Sequence, residues 1–169
     1  MVTQSTVAYV RLDAIMTVFP DARFIWCHRD PKHVIPSINS LNRAVMSMYA
    51  RDYSHLDAHD IGRKVMEWYA SSLERALKVR ATLPEELFID CSQQEFVEQP
   101  MALVEKVYSH FNFHLTDASR NAMQKHIDDN PKNKHGKHEY DFASFGLTAD
   151  MIDERFAFYT RDKRFPISD

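Results

Sequence analysis

The chain has 169 residues, enough for one domain burying roughly 70% of its unfolded surface. Its 44% hydrophobic and 27% charged content excludes a disordered chain, and a formal net charge of −3 excludes nucleic-acid binding driven by overall charge while leaving room for a local anion site. With glycine only at Gly62, Gly136 and Gly146, neither GxGxxG nor GxxxxGK[ST] can be written anywhere.

In chain order, Val10, Ala14, Ile15 and Val18 recur at helical spacing until Pro20-Asp21 closes the segment. Arg23 to Cys27 then reads as a short strand, and its continuously apolar Phe24-Ile25-Trp26-Cys27 predicts a strand covered on both faces of a parallel sheet. Asp30 offers an N-cap and Pro31 a first helical position. Because Pro36 lacks an N–H, the expectation is one loose turn, a kink, and a proper helix from about Ser37, with Ile38, Leu41, Val45, Met48 and Tyr49 on its buried face.

A long helix is predicted from about Ala58 to Ala81, capped by Asp57. Its inward stripe would be Val65, Trp68, Tyr69, Ser72, Leu73, Ala76 and Leu77, with a Glu74–Lys78 pair on its surface. Leu87-Phe88-Ile89 begins a second buried strand ending near Cys91, and Pro100 opens a helix with Leu103, Val104, Val107, Tyr108 and Phe111 on one face. Thr116 caps a helix to about Asp129, and Thr148 caps a last one through about Tyr159. Phe142, Phe145, Phe156, Phe158 and Tyr159 read as tail packing over the core. The class is α/β, mostly helical, with a small parallel sheet. Two strands are few for such a sheet, so residues 1–169 read as a single, incomplete domain.

Cys27 and Cys91 lie in apolar runs and read as buried free thiols, with a bond between them as the alternative. No run approaches the ~18 apolar residues that span a bilayer, and the amino terminus lacks a basic leader, so the expected compartment is the cytoplasm. His135 and His138 form a lone His-x-x-His, too weak a pattern to predict a metal.

The chemistry concentrates in Arg29 and Ser37. Arg29 ends a strand at its carboxyl edge, where ligands bind in open α/β sheets, and its guanidinium fork matches phosphate. Ser37 follows eight residues later near an expected helix start, whose free N–H groups and hydroxyl would hold an anion. The competing reading pairs Arg29 with Asp30 or another carboxylate and leaves Ser37 as a cap.

The segment "FPDARFIWCHRDPKHVIPSINSL" resembles the 3′-phosphate-binding region of sulfotransferases that use 3′-phosphoadenosine-5′-phosphosulfate (PAPS), where a strand ends in Arg-Asp-Pro and a serine follows. "LDAIMTVFPDARFIWCHRDP", Glu67-Trp68 in the long helix, "EQP" and "GKHEYDFASFGLTADMIDERFAFY" extend the likeness over about Leu12 to Phe165, the carboxyl-terminal part of one large sulfotransferase family. The resemblance implies a partial P-loop-like three-layer fold and PAPS as donor for an unspecified hydroxyl or amine acceptor. It assigns Arg29 and Ser37 to the 3′-phosphate and implies no metal and no nucleic acid.

"NPKNKHGKHEY" looks like the basic, glycine-containing segment that closes over that phosphate in such enzymes, which adds Lys134, Gly136 and Lys137 to the expected donor site; a solvated basic turn is the competing reading. The family's 5′-phosphosulfate loop and the lysine and histidine ahead of the feeding helix have no counterpart here. Gln93-Gln94-Glu95-Phe96 stands where relatives carry Tyr-Glu-Asp-Leu, with the tyrosine near adenine. The expectation is therefore a sulfotransferase-family chain supplying the 3′-phosphate half of a site, the alternative being a noncatalytic fragment or pseudoenzyme that binds 3′,5′-bisphosphorylated adenosine or a protein partner. An uncovered sheet edge would favour a homodimer.

Overall fold

Two short runs of β-favouring residues frame the molecule. In a computed structural model that describes residues 11–49, 57–130 and 142–167, Phe24–His28 (β1) and Phe88–Ser92 (β2) pair in parallel, with Phe24 opposite Phe88 and Cys27 opposite Cys91. The connection between them carries two helices, α2 (Pro31–Tyr49) and α3 (Ala58–Arg80), as a parallel crossover requires. Before β1 lies α1 (Leu12–Val18). After β2 come α4 (Gln93–Glu98), α5 (Pro100–His110), α6 (Asp117–Asp129), α7 (Ala149–Arg155) and α8 (Ala157–Thr160). Among the described residues no helix is long and apolar enough to cross a membrane.

Side chains alternate across a strand, so the two sheet faces can be read separately. Phe24, Trp26 and His28 share a face with Phe88 and Asp90, and this face meets Arg80 of α3 and the carboxyl-terminal Tyr159 and Phe165. On the other face α4 and α5 pack against β2 and bury Ile89 and Cys91, whereas Ile25 is 53% exposed and Cys27 is exposed too. The apolar run of β1 is therefore covered on one face only, contrary to the sequence expectation. Covering β1 on both faces would take a further layer, and among the described residues the helices on that side reach only β2 fully.

The main core lies where α2, α3 and the carboxyl-terminal segment meet: Ile35, Met66, Ala70 and Leu73 pack with Phe145, Leu147, Ile152, Phe156, Tyr159 and Phe165. Ion pairs from Arg155 to Glu67 at 2.8 Å and to Glu74 at 2.6 Å tie α7 to α3. Glu74 is thus committed across elements and not to Lys78. Trp68, predicted inward, is half exposed, because the deep stripe runs through Gly62, Met66, Ala70, Leu73 and Ala76. The expected tail packing holds for Phe145, Phe156 and Tyr159. The predicted last helix divides at Phe156 into α7 and α8.

The second correction concerns α2. It runs unbroken from Pro31 with Pro36 inside it, where a loose turn and kink were expected. Proline at this position forgoes the bond that its N–H would make to the Lys32 carbonyl, and Pro36 is in return among the fully buried side chains, next to Ile35. The buried face of α2 is Pro31, Ile35, Pro36 and Asn39, while Leu41, Val45 and Met48 point outward. The Asn39 amide has no hydrogen-bond partner among the described residues, and nothing in the structure accounts for it.

Candidate functional site at the carboxyl end of the first strand

Asp30 fixes the turn from β1 into α2. Its Oδ1 accepts from the Lys32 backbone N–H at 2.7 Å, its carbonyl accepts from the amides of His33 and Val34, and its Oδ2 lies 3.6 Å from Lys32 Nζ. The start of α2 is therefore capped, as predicted, and its first amides are already engaged. The same geometry disposes of the Arg29–Asp30 pairing. Arg29, half-buried between the strand end and this cap, makes no ion pair among the described residues.

Ser37 is the seventh residue of α2, well inside the helix, so it is neither a cap nor a donor of free terminal amides. What it brings is its hydroxyl. Seven residues past Asp30 is close to two helical turns, roughly 10 Å of rise, which returns Ser37 to the face of Asp30 and leans its side chain back toward the helix start. Ser37 is half-buried. Lys134, Gly136 and Lys137, with His135 and His138, lie outside the described residues.

Beneath Arg29 is a buried polar network that the sequence reading missed. His28 is fully buried; its Nε2 lies 2.6 Å from Asp90 Oδ1 and its Nδ1 2.7 Å from the Tyr159 hydroxyl. Arg80 grips the same carboxylate through two bonds of 2.7 Å and lies over the rings of Phe88 and Trp26. One tautomer satisfies every group: Nε2–H donates to Asp90 and Tyr159 O–H donates to Nδ1. Burial pushes the Tyr159 phenol far above its ordinary range, so it remains a donor.

At Asp90 burial also pushes upward, but the Arg80 fork and His28 outweigh it and hold the carboxyl well below the usual carboxylate range. The available signal in the sequence was a single carboxylate inside the apolar Phe88-Ile89-Asp90-Cys91 run. This network ties β1, β2, α3 and α8 together one residue before Arg29. A cavity of ≈ 380 Å³ opens beside it, lined by Arg80, Glu85, Asp90, Arg164 and Phe165 among others, and neither Arg29 nor Ser37 lines it.

The Gln93–Phe96 segment lies in α4, capped by Ser92, whose side chain accepts from the Glu95 amide at 2.9 Å. Gln93 turns toward Cys27, 3.6 Å from its sulfur, and Phe96 is half exposed. Among the described residues no cluster of His, Cys, Asp and Glu is disposed to hold a metal ion.

With this geometry in view, comparison with known proteins gives two kinds of match. A model described as "Sulfotransferase family" matches residues 1–117. The crystal structure of sulfotransferase STF9 from Mycobacterium avium superposes with a TM-score of 0.87 at 27% identity, covering 97% of this chain and 41% of that one. That of sulfotransferase STF1 from Mycobacterium tuberculosis H37Rv gives 0.76 at 28% identity, covering 91% and 38%. The chain thus spans about two fifths of the length of these structures, and its helices and two-strand sheet correspond to part of their P-loop-like α/β fold. No curated protein matches.

Proposed function

This chain belongs to the sulfotransferase family, and from that premise we propose that it supplies the part of a donor site that holds the 3′-phosphate of PAPS, for transfer of a sulfuryl group to a hydroxyl or amine acceptor. The observation that carries the reading is Arg29: a permanently charged fork at the carboxyl end of a parallel strand, with no carboxylate paired to it among the described residues. An arginine held there with no ion pair among the described residues is suited to a ligand's anion.

In this reading Arg29 and the Ser37 hydroxyl take the 3′-phosphate, and Lys134, Gly136 and Lys137 close over it. These groups orient the donor and break no bond; their binding energy goes into alignment at sulfur, which an acceptor oxygen or nitrogen, deprotonated by a base, attacks in line. Residues 1–169 are read as one portion of a single domain. A second reading keeps the nucleotide and drops the transfer; behind it stands the chain's span of 41% and 38% of the two sulfotransferase structures.

Adenosine 3′,5′-bisphosphate at a hundredfold excess over its Kd should stabilise the chain by about 2.7 kcal/mol, a rise in Tm of roughly 5–10 °C at this size. Adenosine 5′-monophosphate should not do so, and Arg29→Ala should remove the difference. Equal shifts from both nucleotides would overturn the assignment. Transfer from labelled PAPS by the chain alone would then decide against the binding-only reading.

A further inference from the structure

Cys27 and Cys91 stand opposite each other in the β1–β2 register, and both are free thiols. Paired positions of neighbouring strands put side chains on the same face, with backbones about 4.8 Å apart. That separation lies inside the span of about 4.4–6.8 Å that a disulfide accepts, near its short end. The two thiols face each other across the strand gap, and Cys27 Sγ donates to Gln93 Oε1 at 3.6 Å. Cys91 Sγ also donates across the strand gap to the Trp26 carbonyl at 3.8 Å.

Their surroundings differ in a way that divides the labour. Cys27 is exposed, whereas Cys91 is fully buried under α4 and α5. The neighbouring Cys91 thiol and the charge of Arg29, two residues away, outweigh desolvation and lower the Cys27 thiol from its ordinary range. Cys91, facing that sulfur and desolvated, is pushed up and keeps its proton. An accessible, activated sulfur thus sits against a sheltered one.

We propose that Cys27 is a peroxide-reactive thiol and Cys91 its resolving partner, so that a hydroperoxide closes a disulfide across β1 and β2 beside Arg29. Cys27 thiolate attacks one peroxide oxygen, the O–O bond breaks, and the departing oxygen takes a proton, leaving Cys27 as sulfenic acid. Cys91 sulfur then attacks Cys27 Sγ, the S–O bond breaks, and hydroxide leaves with the Cys91 proton as water. Two thiols are oxidised to one disulfide, and the hydroperoxide is reduced to an alcohol and water. An external thiol would reopen the bond by thiol–disulfide exchange. The inference rests on the register of the two strands and does not depend on what Arg29 binds.

The test treats the full chain with hydrogen peroxide, blocks remaining thiols by alkylation, and reads intact mass and cleaved peptides. The expected product has lost two hydrogens, contains a linked peptide pair bearing Cys27 and Cys91 within one chain, and reverts with dithiothreitol. Cys91→Ser should stop at a sulfenic acid on Cys27, trapped by dimedone, and Cys27→Ser should leave Cys91 unmodified, a result that needs only the native chain's burial. Cysteines that both stay alkylatable after peroxide would overturn the proposal. So would a product joined only between two chains through Cys27, or first oxidation at Cys91.

Discussion

At the scale of single residues, Asp90 holds the buried polar network together. It is the one carboxylate in either strand, and it accepts from both nitrogens of the Arg80 fork and from His28. Its folded-state ionisation lies below the unfolded value near 3.8, with burial opposing and Arg80 and His28 prevailing. The stability this contributes is complete above the unfolded carboxylate range and drains away as pH falls below about 4. Chemical denaturation between pH 7 and pH 3 should show that loss in the native chain. Asp90→Asn should flatten the slope and start about 3 kcal/mol lower at neutral pH, since a nearly buried Arg80 loses its bidentate partner. Equal stability at pH 7, or an unchanged acid slope, would refute the account.

At the scale of elements, α3 runs close against the 3-10 turn Ala143–Phe145. A Cβ on Gly62 would press into the Phe145 carbonyl oxygen and come within 2.8 Å of Phe145 Cβ. Gly62→Ala therefore sets a gain in helix propensity of about 1 kcal/mol against overpacking of about 1–3 kcal/mol. The contact involves backbone that cannot swing aside, so the loss should prevail: a lower denaturation midpoint, with unchanged helix content by circular dichroism. A midpoint at or above that of the native chain would show that the turn yields freely.

The same scale shows what could be read in advance. Caps were legible because they are local chemistry: Asp57, Thr116 and Thr148, each expected as a cap, accept from a backbone amide in the first turn of their helices. Both strands were found to within one residue, and Arg29 was placed at a strand end. The face of α2 was not legible. Its apolar residues mark two faces, and only the arrival of α3 and α7 decides that Ile35 goes inward and Leu41 outward. The His28–Asp90–Arg80–Tyr159 network joins residues up to 131 positions apart, and no window of sequence contains it.

At the scale of the whole molecule, Ile25 on β1, Leu41 and Met48 on α2, and Val18 and Phe19 at the end of α1 are exposed, each 47% or more. In the two-stranded sheet β1 pairs with β2 alone, so its other edge presents unpaired N–H and C=O groups among the described residues. An apolar, unpaired edge is a template for another strand, and a second copy of β1 is the most available one. Sedimentation should therefore show concentration-dependent self-association. Ile25→Lys, which places a desolvation penalty on that strand while leaving the β2 contacts of Trp26 and His28 untouched, should weaken the dimer at least tenfold, about 1.4 kcal/mol. A chain that sediments as a monomer throughout, or an Ile25→Lys variant that associates as well as the native chain, would place the exposed apolar residues outside any contact between copies.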